Sequence, residues 1–254
     1  MNKLENKNVL VTAGGQGIGY AICKQFIESG ANIATTYLTS STGVDSLKEL
    51  ADKKGVKFIA IKADLTSKER CQTVVKEVVT ELGSLQIVIN NAGSLLERRG
   101  IEDLDEDFMK RILDLNLMST IWITQAAEPI LAKNSQGSSI VNLASLAGRK
   151  GGHRGSIAYS TSKGSIITWT RHAATELGDR GIRVNCVAPG LILGTSFHAT
   201  HTTKESADKT ISSIPLQQAG SPDDVARAVI FLSSEYDGFI SGITLDINGA
   251  AYVA

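Results

Sequence analysis

The feature that most constrains this chain is a sevenfold alternation of short apolar runs with longer helical stretches. The runs are NVLVTAG (8–14), ANIATTY (31–37), VKFIAIKAD (56–64), LQIVINNAG (85–93), SSIVNLAS (138–145), IRVNCVAPG (182–190) and ITLDING (243–249). Between the first two, Ile18, Ala21, Ile22, Phe26 and Ile27 share one helix face and stop at Ser29-Gly30. VDSLKELADKK stops at Gly55, a helix from about Lys68 to Leu82 stops at Gly83, and long helices are predicted over 105–132 and 156–178. Another begins at Ser221-Pro222-Asp223-Asp224, with an N-cap and a proline in its first turn. Strand–helix alternation calls for βαβ units and a parallel sheet, and strands apolar on both faces need helices on both faces. The expectation is α/β: a single doubly wound domain over 1–254, with a seven-stranded parallel sheet and helices on either side. Residues 191–214 carry no strand pattern, and such an insert reads as a substrate lid.

Charge narrows the function classes. Lys+Arg and Asp+Glu both number 26, so no global field draws the chain to nucleic acid or an anionic membrane. No apolar run is long enough to cross a bilayer, and the first strand begins too early for a secretory leader to precede it. Cys23, Cys71 and Cys186 lie in apolar or amphipathic runs without a CxxC, as small buried hydrophobes of a reducing compartment do. The expected location is the cytoplasm.

The strand ends concentrate polar and small residues on one rim. The first ends in Thr12-Ala13-Gly14-Gly15-Gln16-Gly17-Ile18-Gly19, which also opens a helix. Free N–H groups and the positive dipole end there favour a phosphate, and small residues let a dinucleotide approach the backbone. The loop fits neither G-x-G-x-x-G, since Ile22 stands at the third glycine position, nor a Walker loop, so by itself it is a weak signal that a flexible turn would also give. Strand four ends in Asn90-Asn91-Ala92-Gly93, strand five in Leu143-Ala144-Ser145 and strand six in Ala188-Pro189-Gly190, with Tyr159-Ser160-Thr161-Ser162-Lys163 following strand five. Singly, Tyr159 and Lys163 would pass for a helix tyrosine and a solvated lysine, and Ser145 for a cap. Four apart on a helix, however, Tyr159 and Lys163 share a face. An ammonium near a phenol, whose pKa is ordinarily about 10, favours phenolate and suits it to general acid–base work.

TxxxxGxG, NNAG, a serine closing strand five, YxxxK and PG, in that order at those strand ends, resemble the short-chain dehydrogenase/reductase family over nearly the whole chain. Thr12-Ala13 departs from the family's usual Thr-Gly. The resemblance implies a Rossmann-like fold and an NAD(P)-dependent oxidoreductase acting on CH–OH and C=O groups. It implies Tyr159 as general acid/base, Ser145 orienting the reacting oxygen, Lys163 holding the nicotinamide ribose and Asn116, in DLNLMST, joining Lys163 to a water relay. It implies cofactor contacts at Thr12, Gly14, Gln16, Gly17, Ile18, Gly19, Tyr37, Asp64, Leu65, Asn91, Ala92, Gly93, Tyr159, Lys163, Pro189, Gly190 and Ile192, with Asn90 walling the adenosine ribose. Strand two ends in Thr36-Tyr37-Leu38-Thr39-Ser40-Ser41 without the carboxylate that binds the ribose hydroxyls of NAD, so NADP(H) is favoured over NAD(H), although no arginine clamp is evident.

The loops after strands four, five and six lean basic, which suits a small anionic carbonyl substrate as readily as it suits plain solvation. Candidate substrate residues are Arg149, His153, Phe197 and His198. His198 and His201 lack an evident third ligand, so no metal is expected. NNAGSLLERRGIEDLDEDF, PGLILGTSFHATHT and LDINGAAY are similar to bacterial reductases of keto-deoxy uronates. That implies reduction of 4-deoxy-L-erythro-5-hexoseulose uronate, from alginate, to 2-keto-3-deoxy-gluconate. A 3-oxoacyl-carrier thioester reductase, another short-chain alcohol or sugar dehydrogenase, and a non-catalytic dinucleotide sensor stay open beside it. The family's usual homotetramer, formed through the two long helices, is expected from the apolar breadth of Phe108, Ile112, Leu115, Ile121, Trp122, Ile123, Ile166, Ile167 and Trp169.

Overall fold

The computed structural model describes residues 4–134, 137–195, 200–234 and 238–253. In chain order the elements are β1 (Asn8–Val11), α1 (Gly17–Glu28), β2 (Asn32–Tyr37), α2 (Val44–Lys54), β3 (Phe58–Lys62), α3 (Lys68–Leu82) and β4 (Ile87–Asn90). Then come α4 (Glu106–Leu113), α5 (Ser119–Leu131), β5 (Ser138–Leu143), α6 (Leu146–Lys150), α7 (Ile157–Leu177), β6 (Ile182–Pro189), α8 (Lys204–Ser213), α9 (Pro222–Ser233) and β7 (Thr244–Ile247). All seven strands are parallel, in the order β3-β2-β1-β4-β5-β6-β7. Alternate strand residues feed opposite layers. Val9, Val11, Ile87, Ile89 and Val141 pack with α1, α2 and α9, while Leu10, Val88 and Ile140 pack with α3, α5 and α7. The strand order reverses between β1 and β4, the point where an open sheet offers a crevice to a ligand.

Three features shape that crevice, and the first two depart from the sequence reading. Six of the seven strands stop one to three residues short of the ends of their apolar runs, and the remainder forms the rim loops. The helix expected over 105–132 is interrupted at Asp114–Met118 by a π-helical segment between α4 and α5. The extra residue per turn turns Asn116 inward, where it is 0% exposed. The insert at 191–214 contains α8, capped by Thr203, whose hydroxyl accepts from Ser206 N at 3.2 Å. A bridge between Ile192 and Gly220 closes the insert at its base. Among the described residues no helix is long and apolar enough to cross a membrane.

Candidate active site

The ends of β1 and β4 are stitched together. The Thr12 hydroxyl accepts from the backbone N–H groups of Asn91 and Ala92, both at 2.9 Å, and Asn91 Nδ2 donates to the carbonyls of Thr12 and Ala13. From β2, Thr36 Oγ1 accepts from Ala13 N and Thr35 Oγ1 from Gly14 N. Most of the loop's glycines therefore clear room for protein. A Cβ on Gly14 would lie 2.2 Å from Thr35 Oγ1, and one on Gly19 would lie 2.4 Å from the Ala13 carbonyl. Gly17 instead supplies a left-handed φ of +57°. Ala13 takes φ +55°, so its methyl does more than shift the turn: it occupies a conformation that costs a non-glycine residue about 1 kcal/mol.

A cavity of about 830 Å³ opens beyond these strand ends. Of the sequence-predicted residues, Gln16, Gly17, Ile18, Gly19, Asn91, Gly93, Ser145, His153, Tyr159, Lys163, Pro189, Gly190 and Ile192 line it. The N-cap of α1, Gln16, makes no side-chain cap, and the first turn holds no acidic residue, so this helix start suits an anionic phosphate. Thr12, Gly14 and Ala92 stand behind the lining as supports. Tyr37, Asp64 and Leu65 lie outside the cavity: Leu65 is 5% exposed in the α3 layer, and Asp64 accepts from Thr66 N and Oγ1 in its own turn. Thr36 at the end of β2 is 1% exposed and accepts from Ala13 N, which leaves the exposed hydroxyls beyond Leu38 as the ones open to a second phosphate.

Ser145 caps α6, accepting from Ala147 N at 3.1 Å, and hydrogen-bonds the Tyr159 hydroxyl. One turn along α7, Lys163 is 4% exposed, with Nζ 5.9 Å from the Tyr159 ring centroid, and it donates to the Leu143 carbonyl at 2.7 Å. Behind it, the Asn116 carboxamide accepts from Ser94 N at 2.8 Å and donates to Ser94 O at 2.9 Å. Gly93 fits between them: a Cβ there would stand 2.7 Å from Asn116 Oδ1 and 2.9 Å from Lys163 Nζ. Burial pushes the Lys163 ammonium down to about 8. The Tyr159 phenol is also displaced by burial, upward, against the downward pull of the Ser145 hydrogen bond. In the protein alone, burial therefore outweighs the Ser145 hydrogen bond.

Arg149 corrects the sequence reading of the substrate side. It forks onto Asp246 at 3.0 and 2.9 Å, donates to the Thr244 carbonyl and is absent from the cavity wall, so it joins α6 to β7. Phe197 and His198 lie outside the described residues. What the sequence reading did not single out is the rest of the charged lining. Arg98, Lys150 and Lys209 join Lys163 there, and among the described residues no Asp or Glu lines the cavity. The local field is thus positive in a chain whose formal charge is zero. Among the described residues no three His, Cys, Asp or Glu side chains gather as metal ligands.

Residues 12–250 match the family model for enoyl-(acyl carrier protein) reductase. A 3-oxoacyl-(acyl-carrier-protein) reductase of Staphylococcus epidermidis is 34% identical over 252 residues, covering 98% of this chain and 100% of that protein. A chloroplastic NADPH-dependent aldehyde reductase of Arabidopsis thaliana is 36% identical over 259 residues, covering 99% and 88%. Among solved structures, the NADH-dependent reductase A1-R′ responsible for alginate metabolism superposes with a TM-score of 0.91 at 28% identity, over 100% of both chains.

Proposed function

This chain belongs to the short-chain dehydrogenase/reductase family of NAD(P)H-dependent oxidoreductases, and from that premise we propose that it reduces the carbonyl of a small anionic keto sugar acid. The substrate of this reading is 4-deoxy-L-erythro-5-hexoseulose uronate and the product 2-keto-3-deoxy-gluconate. The observation that carries it is the cavity wall, which among the described residues has four cations and no carboxylate, with the Ser145–Tyr159 hydrogen bond at its edge. The likeness to an alginate-metabolism reductase agrees with it.

Gln16 and the glycines at the start of α1, with Asn91, Gly93 and the Pro189–Ile192 segment, would hold the dinucleotide. When bound, it supplies the hydride that the carbonyl carbon accepts. The protein manages the oxygen. Ser145 and Tyr159 both present hydroxyls to it, and Tyr159 hands over its proton as the oxygen gains charge. A phenol held above its ordinary value stays protonated at neutral pH, the form a reducing general acid needs. Lys163, fixed by the Leu143 carbonyl, keeps a positive charge near the phenol, and Asn116 fixes the loop at Ser94 that carries Gly93 toward Lys163. The absence of a carboxylate at the end of β2 favours NADP(H) over NAD(H). A homotetramer through α5 and α7 completes the reading, and light scattering showing a monomer at micromolar concentration would remove that part.

The test is oxidation of NADPH and of NADH with the keto uronate, run beside a 3-oxoacyl thioester. Fast turnover of the thioester alone would move the protein to acyl chemistry, the second reading, which the Staphylococcus likeness favours. In the same assay Tyr159→Phe should lose nearly all turnover while cofactor binding persists. A protein that merely senses dinucleotide would not register the change.

A further inference from the structure

Adjacent arginines after β4 have opposite fates. Arg99 is neutralised by Glu97 and Asp105, and its guanidinium lies 4.4 Å over the Phe108 ring. Arg98 lines the cavity and pairs with no carboxylate among the described residues. Its guanidinium donates instead to two neutral groups on two loops, the carbonyls of Arg154 (3.1 Å) and His201 (3.2 Å). Neither contact cancels the charge, and among the described residues the other three N–H donors have no partner. The backbone holds the arginine beside the chemistry, since Arg99 N donates to the Gly155 carbonyl at 2.9 Å and Arg99 bridges Ser156, immediately before the helix that carries Tyr159.

Across the cavity, α8 presents Ser206, Lys209, Thr210 and Ser213. These positions are i, i+3, i+4 and i+7, one helical face. The helix buries only Ala207. Thr210 Oγ1 donates to the Ser206 carbonyl and Ser213 Oγ to the Thr210 carbonyl, so both oxygens keep lone pairs for an incoming hydroxyl. Lys209 forms no ion pair among the described residues and adds donors to the same face. An acyl chain gains nothing on such a face, whereas a polyhydroxy chain finds acceptors and donors along it.

Resting on the keto-acid reading of the site, we infer that Arg98 holds the carboxylate of the substrate and that the Ser206–Lys209–Thr210–Ser213 face of α8 holds its hydroxyls. Together they set the specificity of the enzyme. The experiment measures kcat and KM for the keto uronate and for its neutral analogue, in which the carboxylate is reduced to a primary alcohol. Arg98→Gln should raise KM for the uronate roughly 10- to 100-fold, the range of a lost charge-assisted hydrogen bond, with kcat and the neutral analogue nearly unchanged. Arg98→Lys, which keeps charge and donors, should recover most of the loss. Thr210→Val should weaken both polyhydroxy substrates alike and spare a small carbonyl compound without hydroxyls.

Equal losses on charged and neutral substrates in Arg98→Gln would reduce Arg98 to a loop clamp and overturn the inference, as would no loss at all. If Arg98→Gln fails to fold, the Arg98→Lys and Thr210→Val comparisons decide. Native turnover of the uronate with an unresponsive Arg98 defeats only this assignment. A native enzyme that reduces the thioester and neither sugar defeats the keto-acid reading, and the inference falls with it.

Discussion

Gly93→Ala places a single methyl group against the two buried side chains behind the Ser145 and Tyr159 hydroxyls. The new Cβ would stand 2.7 Å from Asn116 Oδ1 and 2.9 Å from Lys163 Nζ, where ordinary contact begins near 3.4 Å, so the neighbours must yield by about 0.5–0.7 Å. Neither yields cheaply. Asn116 is 0% exposed and doubly bonded to the Ser94 backbone, and Lys163 is 4% exposed and bonded to the Leu143 carbonyl. Overpacking a buried site costs about 1–3 kcal/mol, which in a chain of this size lowers Tm by a few degrees. A displacement of about 1 Å at a catalytic group costs on the order of 100-fold, so kcat should fall roughly 10- to 100-fold. Gly178→Ala is the control, because that glycine has φ −63° and a methyl added there would meet nothing within 4 Å. The assay is steady-state NAD(P)H oxidation with a thermal melt of each variant. Native kcat in Gly93→Ala would refute the reasoning, since it would mean that Asn116 and Lys163 can move without consequence.

The charge on Lys163 gives a stability test. Its folded value of about 8 lies below its ordinary 10.5, so between those pH values the unfolded chain binds a proton that the native state has released, and stability rises with pH. Lys163→Met removes this cost, which is at most about 3 kcal/mol. Its stability gain over the native protein in urea unfolding should be present at pH 7 and fade toward pH 10.5; a constant difference would refute the assignment. Arg149→Met should destabilise by about 1–3 kcal/mol by leaving the partly buried Asp246 unpaired, with KM of the folded enzyme unchanged, whereas a substrate contact would show the reverse. Cys23, Cys71 and Cys186 are 0% exposed, and burial pushes their thiols up to about 12, 12 and 11. A thiol reagent should therefore label none of them in the native protein and all three in denaturant, and native labelling would show an opening that the packing does not contain.

The sheet was legible because burial on both faces leaves a continuous apolar run, and because glycines at 55 and 83 end their helices in left-handed turns. The π-helical segment was not legible. DLNLM carries no glycine or proline to announce a break, and the extra residue follows from what Asn116 reaches across to, the backbone of Ser94. The substrate side was read from charge density alone, which cannot separate Arg149 from Arg98. Both follow glycine-bearing rim segments, and only the fold shows that Asp246, ninety-seven residues downstream, takes up the first. The helical spacing of Ser206, Lys209, Thr210 and Ser213 was present in the sequence, but a stripe without apolar residues gives no hydrophobic signal to place it.

The glycine loop shows how such a site divides its labour. A rim glycine invites the reading that a ligand needs the space, yet at Gly14 and Gly19 the space is filled by Thr35, Cys23, Ala13 and Asn91 of the protein itself. Those contacts hold the β1–α1 turn against the end of β4, and only then do the start of α1 and Gly93 face one cavity. Small residues there are a requirement of the scaffold, shared by any chemistry that uses the same dinucleotide crevice. What distinguishes one substrate from another must come from side chains the scaffold leaves uncommitted. In this cavity the charge of Arg98 is uncancelled, while the charges of Arg99 and Arg149 are spent on carboxylates of the fold. The sorting of arginines by partner, rather than their number, is what leaves the cavity its positive field.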